Sequence, residues 1–340
     1  MIHSDHIPAT IDTRWNFCGL QVVRLENRAL RVDILPQLGA KIYSFVHQPS
    51  GRDLLWHNPH LAPAIVPFGA KFDDSWSGGW DELVPNDVPV AFPNGDSLPD
   101  HGEVWSQPSE WEVVEAGGEV AAVRFTSYGR VLPTRFEKLV ILRSGEPFIR
   151  LHYKFTNSGN QPVPYLWNIH PPLVVTPDTR LDVPARMGLV DPWNTERFEA
   201  GAHFEWPFIT TRQGERVDLR LVPPSSASIA DFFYLPDVRG GWYAVTDLEA
   251  QVGFGLVFPL EVFPHLWLFR TFGGWRGLNT LILEASTGYP NDLAIAQRQG
   301  HCGILAPGAT IQAEVLAVAY TGITGVQRIE PDGVVVGAGQ

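Results

Sequence analysis

Apolar and polar residues alternate with a period of two along most of this chain, and this alternation constrains the fold more than any other feature. In residues 29–35, ALRVDIL, Leu30, Val32 and Ile34 share one face whereas Arg31 and Asp33 occupy the other. Successive side chains of a β-strand point to opposite faces, so such a segment fits a strand with one buried face. No segment sustains the apolar spacing of a long amphipathic helix. The pattern therefore predicts an all-β protein.

The same periodicity delimits a series of strands with only one short helix, which is predicted in NDLAIAQRQ, residues 291–299. Strands are predicted at 20–26, 40–46, 119–129, 134–145, 147–159, 241–248, 252–258, 265–272, 280–286 and 310–320. Two stretches, 57–110 and 176–206, resist strand assignment, and long irregular segments in a compact domain are commonly functional loops. No linker or repeat divides the chain. We therefore expect one domain over 1–340, with a core at about 20–320 and a loosely held C-terminal tail, EPDGVVVGAGQ.

Charge and motif content exclude several classes of function. The chain has 25 Lys and Arg against 37 Asp and Glu, a net charge of −12, with no basic cluster, so nucleic acid and anionic membranes are not expected as partners. No signal-peptide pattern or apolar run of about 20 residues is present, which predicts a cytoplasmic location. Cys18 and Cys302 are expected to be reduced thiols. No nucleophile elbow, phosphate-binding loop or dinucleotide fingerprint occurs.

Three ionisable residues occupy positions that call for an explanation. His170 interrupts the apolar run YLWNIHPPLVV, and a buried imidazole is either a hydrogen-bonded core residue or a functional group. His101 precedes Gly102 in PDHGEVW, a turn that could present its ring to a ligand or leave it on the surface. Glu284 follows the apolar run LIL in TLILEAST, so it is paired, exposed at the strand end, or a base with a raised pKa.

Two possible metal sites are weaker. His57 and His60 in HNPH have a metal-like spacing, but Pro59 prevents a helix and no third ligand is evident. The run KFDDSWSGGWDELVPND offers four carboxylates, which are Asp73, Asp74, Asp81 and Glu82. They lack EF-hand spacing, and they could instead accept hydrogen bonds from sugar hydroxyls. We therefore predict no metal site.

Twelve tryptophans are present, and several lie in predicted loops or at strand ends beside polar residues. These are Trp76, Trp80, Trp105, Trp193, Trp267 and Trp275. Flat rings beside hydrogen-bonding side chains suit a sugar, whose C–H face stacks on them, although core packing explains many tryptophans equally well.

Five segments, taken in order, resemble the aldose 1-epimerase (galactose mutarotase-like) superfamily. They are GAKIYSFVHQPSGRDLLW at 39–56, HGEVW followed by SEWEV at 101–113, WNIHPPL at 167–173, LILEASTGYPNDL at 281–293 and LAPGATIQAEVLAVAY at 305–320. The resemblance covers about residues 20–320. It implies a large antiparallel β-sandwich, the galactose mutarotase-like supersandwich, which binds a small-molecule sugar in a groove on one sheet.

The resemblance also implies roles for the three ionisable residues. His170 would protonate the ring oxygen of the sugar, Glu284 would remove the proton of the anomeric hydroxyl, and His101 would bind near the ring oxygen. A proton must be removed and another delivered almost together to open a hemiacetal, so these groups suffice without a cofactor or metal. A nearby Glu284 would also keep His170 charged in a low-dielectric strand.

Some positions depart from the family pattern and leave the identity of the sugar open. The epimerases generally have an arginine ahead of the His-Gly motif where this chain offers Lys71, and Pro171 and Pro172 follow the second histidine. No arginine pair is near enough to the motif to hold a phosphate. The residues predicted to bind sugar are Lys71, Asp81, Asn86, Asp231, Trp267 and Arg270. Two other readings stay open: a catalytically silent sugar-binding protein, and a lyase or glycosidase, which the single well-placed glutamate disfavours.

Overall fold

The computed structural model describes residues 8–92, 95–193 and 196–339, and its regular structure consists almost entirely of β-strands. Two short α-helices are present in these residues, α1 (Phe72–Ser75) and α2 (Leu293–Gln299). The strands are β1 (Ala9–Phe17), β2 (Leu20–Glu26), β3 (Leu30–Leu35), β4 (Lys41–His47), β5 (Arg52–Asp53), β6 (Asp81–Leu83), β7 (Val90–Ala91), β8 (Ser97–Leu98), β9 (Glu110–Gly118), β10 (Val120–Tyr128), β11 (Thr134–Arg143), β12 (Phe148–Asn157), β13 (Val163–Tyr165), β14 (Asn168–His170), β15 (Pro172–Leu173), β16 (Thr179–Asp182), β17 (Met187–Val190), β18 (His203–Glu205), β19 (Phe208–Thr210), β20 (Arg216–Asp218), β21 (Ile229–Leu235), β22 (Trp242–Asp247), β23 (Val252–Val257), β24 (His265–Phe272), β25 (Asn279–Ser286), β26 (Gly303–Leu305), β27 (Thr310–Thr321), β28 (Val326–Ile329) and β29 (Val335–Gly337).

Two large antiparallel sheets contain most of these strands. The larger sheet has thirteen strands in the order β16-β22-β23-β27-β12-β11-β10-β9-β1-β2-β3-β4-β5. The smaller sheet has eight, in the order β18-β17-β21-β24-β25-β14-β6, with β15 also paired to β25. The described residues also form separate two-stranded sheets, which are β7-β8, β13-β26, β19-β20 and β28-β29. The all-β fold class predicted from the sequence is confirmed.

The main core lies between the two sheets, and strict alternation decides which residues reach it. In β25, Leu281 and Leu283 join this core, whereas Ile282 and Glu284 point to the opposite, outer face of the smaller sheet. The outer face is also covered, by α1, α2 and the loops around them, so the strands of the smaller sheet are buried on both faces. This double burial explains why TLILEAST and YLWNIHPPL have almost no exposed polar residues.

Most predicted strands match the structure to within one or two residues, and the short predicted helix is α2, capped by the Asp292 side chain. The prediction was wrong in several places. Residues 57–110 are not wholly irregular, because they contain β6, β7 and β8 as well as α1, a second helix beyond the one predicted. Residues 176–206 are not wholly irregular, because they contain β16, β17 and β18. The C-terminal tail is not loose, because β29 within it pairs with β28 and Val335 packs against the cluster that contains Phe148 and Trp242.

Neither α-helix in the described part of the chain has the length and apolar character that crossing a membrane requires. Both cysteines are free thiols, with Cys18 exposed and Cys302 partly buried.

Candidate functional site

A cleft of about 200 Å³ opens on the outer face of the smaller sheet, with room for a single sugar ring. Strands, turns and loops from several parts of the chain supply its walls. The lining residues are Phe72, Asp73, Trp76, Asp87, Val88, Asp100, His101, His170, Trp193, Phe232, Phe269, Trp275, Ile282, Glu284 and Asn291. All three residues that the resemblance implicates in proton transfer, His101, His170 and Glu284, are among them.

Strand pairing brings His170 and Glu284 together. In the β14–β25 pair Ile169 lies opposite Ala285, and in the β15–β25 pair Pro172 lies opposite Ile282, which is the same antiparallel register. His170 therefore lies opposite Glu284 on the adjacent strand, where facing β-carbons are about 5 Å apart. Both side chains point into the cleft because Ile169, the residue before His170, points into the core.

His101 reaches the cleft from a tight turn. Its backbone is left-handed, with φ 59°, and Gly102 follows with φ 81°, a conformation that favours glycine. A β-carbon at Gly102 would collide with the carbonyl oxygen of Val84, so no other residue fits this position without a shift. The His101 ring stacks on Phe72, with centroids 4.1 Å apart, and its centroid is 6.4 Å from that of His170.

Carboxylates surround His101 and keep it charged. Its Nδ1 donates to Asp100 Oδ1 at 2.9 Å, and its Nε2 is 3.7 Å from Asp87 Oδ2. Burial disfavours the imidazolium, but Asp87, Asp100 and Asp73 together outweigh it and raise the pKa of His101 to about 9. Burial raises the pKa of Asp87 to about 6 despite the opposing charge of His101. At neutral pH the cleft therefore contains an imidazolium between carboxylates.

Unlike His101, which favours its charged form, His170 and Glu284 both favour their neutral forms. Burial, followed by the nearby charges of His101 and Lys41, lowers the pKa of His170 well below its usual value. Burial and Asp87 raise the pKa of Glu284 well above its usual value, against the effect of His101. The expectation that Glu284 keeps His170 charged was therefore wrong: the charged histidine is His101. These two shifts favour a proton on Glu284 over a proton on His170.

Two polar atoms of this pair lack any hydrogen-bond partner within the described residues. They are Nδ1 of His170 and Oε2 of Glu284, on side chains of residues that are only 4% and 3% exposed. Buried polar groups are rarely left unpaired unless a ligand or water satisfies them. An adjacent imidazole and carboxyl whose hydrogen-bonding atoms are unpaired can accept one proton from a bound molecule and donate another to it.

Asp81, predicted to bind sugar, lies beside the site and not in it. It pairs with His170 across β6 and β14, and its Oδ2 accepts a hydrogen bond from Lys41 Nζ at 2.8 Å. Neither Asp81 nor Lys41 lines the cleft. Lys41, the positive member of this buried ion pair, lies close behind His170, which is one reason why the pKa of His170 is low.

The other predicted sugar-binding residues also lie outside the cleft. Asn86 braces the loop beneath it by donating from Nδ2 to the carbonyl oxygens of Val88 and Pro99, and Lys71 is exposed at the N-terminal cap of α1. Trp267 is fully buried, and its indole N–H donates to the carbonyl oxygen of Gly288 at 2.8 Å. These contacts are structural.

Asp231 and Arg270 form a buried ion pair on the inward-facing side of the smaller sheet. Arg270 Nη2 is 2.9 Å from Asp231 Oδ2, and Arg197 Nη1 is 2.5 Å from the same oxygen. The alternation in β21 explains the placement, because Phe232 lines the cleft and its neighbour Asp231 must point the other way. Their assignment as sugar-binding residues has no support in this geometry.

Several cleft residues were not predicted as site residues, among them Phe72, Asp87, Asp100 and Asn291. Asp100 adjoins His101 in the sequence, and Asp87 lies in the acidic run before it, so the Asp-rich segment 73–100 was the available signal. Of the six tryptophans highlighted by their polar neighbours, Trp76, Trp193 and Trp275 line the cleft. The other three are buried among apolar residues or hydrogen-bonded to backbone.

The residues of the two metal alternatives do not converge. His57 stacks on Tyr43 and its Nε2 donates to the Tyr43 carbonyl oxygen at 2.8 Å, whereas His60 is exposed. Of the four acidic residues only Asp73 lines the cleft; the rest are engaged, Asp74 by Arg276, Asp81 by Lys41 and Glu82 by Tyr153. No grouping of three or more His, Cys, Asp or Glu side chains in the described ranges could hold a metal ion.

No protein-family model and no curated protein sequence matches the chain. Solved structures do. The Slr1438 protein from Synechocystis sp. PCC 6803 matches with a TM-score of 0.66 and 17% identity over 88% of this chain and 96% of that one. A galactose mutarotase-like protein from Clostridium acetobutylicum matches with a TM-score of 0.65 and 12% identity over 92% and 99%. Another from Lactobacillus casei ATCC 334 matches with a TM-score of 0.62 and 14% identity over 88% and 100%. The chain therefore has the galactose mutarotase-like fold.

Proposed function

We propose that this protein is an aldose 1-epimerase-type isomerase that interconverts the anomers of a sugar by opening and reclosing its ring. The observation that carries the proposal is the adjacent pair His170 and Glu284, which face one cleft with unpaired polar atoms. A cleft with aromatic walls and a few convergent polar groups suits a monosaccharide.

The reaction needs one proton donor and one acceptor on the two oxygens bonded to the anomeric carbon. The donor protonates the ring oxygen while the acceptor takes the proton of the anomeric hydroxyl, so the bond between C1 and the ring oxygen breaks and C1 becomes a carbonyl. Rotation about the C1–C2 bond and reversal of both transfers give the other anomer. With the exchangeable proton on Glu284, the carboxyl is the donor and neutral His170 the acceptor, the reverse of the roles that the resemblance implies.

His101 contributes a fixed positive charge. An imidazolium at the edge of the cleft stabilises negative charge that develops on a sugar oxygen during ring opening, and it does so in a partly water-excluded site where electrostatic effects are strong. Asp100 and Asp87 hold its ring in place.

The pH dependence of kcat/KM should follow the Asp87–His101 pair. Below a pH of about 6 Asp87 loses its negative charge, and above about 9 His101 loses its positive charge. We expect kcat/KM, measured by polarimetry, to be level between these values and to fall on both sides. An alkaline limb near 6.5, the ordinary pKa of histidine, would contradict the assignment of His101 as the stable cation.

Polarimetry on freshly dissolved α-anomers tests the function itself. The protein should shorten the time to rotational equilibrium for at least one aldose. Binding of sugars without faster equilibration would instead support the catalytically silent binding protein on the same fold. A glycosidase needs two carboxyl groups, and the sequence offered one well-placed glutamate, whereas four acidic residues line the cleft. Aryl glycosides should therefore be tested as well. Their hydrolysis would favour a glycosidase.

A further inference from the structure

The charges that line the cleft are unbalanced towards negative. Asp73, Asp87 and Asp100 face it along with Glu284, whereas among the described lining residues His101 is the one stable cation and none is a lysine or an arginine. Even with Glu284 neutral, three carboxylates oppose one imidazolium at neutral pH.

The three aspartates differ in how far the protein satisfies them. Asp100 accepts hydrogen bonds from His101 Nδ1 and from the backbone N–H of Phe72, at 2.9 Å each. The carboxylate of Asp87 has only the longer 3.7 Å contact with His101 among the described residues. The half-buried carboxylate of Asp73 makes no hydrogen bond or ion pair with any described residue, since only its backbone carbonyl is engaged, by Arg276. Asp73 and Asp87 are therefore available to a ligand.

Of three cations near the cleft, two are paired with carboxylates outside it and the third is exposed. Arg276 Nη2 is 2.7 Å from Asp74 Oδ1, and Lys41 Nζ is 2.8 Å from Asp81 Oδ2. Lys71 is exposed to solvent at the start of α1. These groups weaken the negative potential of the cleft but do not enter it.

The cleft also contains buried polar atoms that await a ligand, and aromatic walls that suit a cation. Nδ1 of His170, Oε2 of Glu284 and Nε1 of Trp76 are unpaired on residues at most 4% exposed. Trp193, Trp275, Phe232 and Phe269 also line the cleft. Ring faces attract ammonium groups, with tryptophan the strongest of the side chains.

We propose that the sugar recognised by this cleft is an amino aldose whose protonated amine binds Asp73 and Asp87. An ammonium group has three hydrogen-bond donors and one positive charge, so it can donate to more than one carboxylate and lowers the excess of negative charge from two to one. A uronic acid or a phosphorylated sugar would add negative charge to a cleft that already has an excess. This inference rests on the proposed function only for the ring chemistry, because the charge argument concerns binding.

The experiment compares matched sugars that differ in charge but little in shape. Dissociation constants for glucosamine, galactosamine and mannosamine are measured by calorimetry at pH 7, beside their N-acetyl forms, the parent hexoses and the uronic acids. Since a hydrogen bond to a charged group is stronger than a neutral one by roughly 1 kcal/mol, we expect at least one amino sugar to bind about fivefold more tightly than its neutral counterparts. The uronic acids should bind most weakly, and the preference should decrease with added salt.

Variants test the assignment of the carboxylates. Asp73→Asn should reduce the ratio of amino-sugar affinity to parent-hexose affinity towards one. Glu115→Gln removes the same charge from an exposed position on β9 of the other sheet and should leave that ratio unchanged.

Each of the following results either supports or overturns the inference that the cleft binds an amino aldose. Tighter binding of an amino sugar that Asp73→Asn abolishes supports it, whether or not anomers interconvert faster. Accelerated interconversion of neutral hexoses without a preference for amino sugars would overturn it and leave the isomerase function standing. Failure of every sugar to bind would overturn both.

Discussion

Replacement of Glu284 with glutamine is expected to lower the rate of anomer interconversion by about 10²- to 10⁴-fold while the protein stays folded. Glutamine has nearly the shape of the protonated carboxyl that burial favours at this position, but it can neither donate nor accept the exchangeable proton. We therefore expect the free energy of unfolding to change by less than about 1 kcal/mol, as measured by urea denaturation.

Glu82→Gln is the matched control for this substitution. It makes the same chemical change in the same sheet, but Glu82 points into the core between the sheets, towards Lys138 and Tyr153, and away from the cleft. Glu82→Gln should retain most of the isomerase rate and lose stability, the reverse of Glu284→Gln. Equal rates for wild type and Glu284→Gln would show that Glu284 transfers no proton in the reaction.

Truncation of Glu82 to alanine should cost about 3–5 kcal/mol of unfolding free energy, the largest stability effect that we predict. Glu82 is 2% exposed; its Oε1 accepts from Tyr153 Oη at 2.6 Å and is 3.6 Å from Lys138 Nζ. Without Glu82, Lys138 would be a fully buried ammonium whose remaining described partners are the carbonyl oxygen of Ala40 and the more distant charge of Asp81. Burial already lowers the pKa of Lys138, so part of the loss should appear as deprotonation of this lysine.

A double variant separates the lost counter-ion from the lost packing. Glu82→Leu combined with Lys138→Met removes both charges and fills the space with apolar groups, and buried ion pairs replaced in this way commonly keep or gain stability. The double variant should therefore be more stable than Glu82→Ala. If Glu82→Ala alone costs less than about 1 kcal/mol in urea denaturation, Lys138 does not depend on Glu82.

The strand series could be predicted from the sequence because alternation and turn residues are local signals. The location of Glu284 and His170 on one sheet could be suggested only by resemblance, since the register that brings them together depends on β14, β15 and β25 pairing across more than 100 residues. The outer face of this sheet is covered by loops and helices, so alternation could not distinguish the cleft face from the core face. Asp231 and Arg270 were misassigned for this reason.

The protonation states of the two site histidines could not be predicted from the sequence. The pKa of His101 rises, against the effect of burial, because Asp87, Asp100 and Asp73 meet around it, and only the fold brings them together. The same fold removes His170 from water and puts Lys41 behind it. A sequence argument can name the histidines, but their protonation depends on this three-dimensional arrangement.

Anomer exchange at equilibrium is the most direct test of the claim that His170 and Glu284 transfer protons to a sugar in one cleft. Exchange spectroscopy by NMR on neutral and amino aldoses compares the wild-type protein with the His170→Asn, Glu284→Gln double variant. We predict exchange cross-peaks between the α and β anomers of at least one sugar that grow with wild-type concentration and are absent with the folded double variant. Exchange no faster with the wild type than with the double variant, for every sugar tested, would contradict the account.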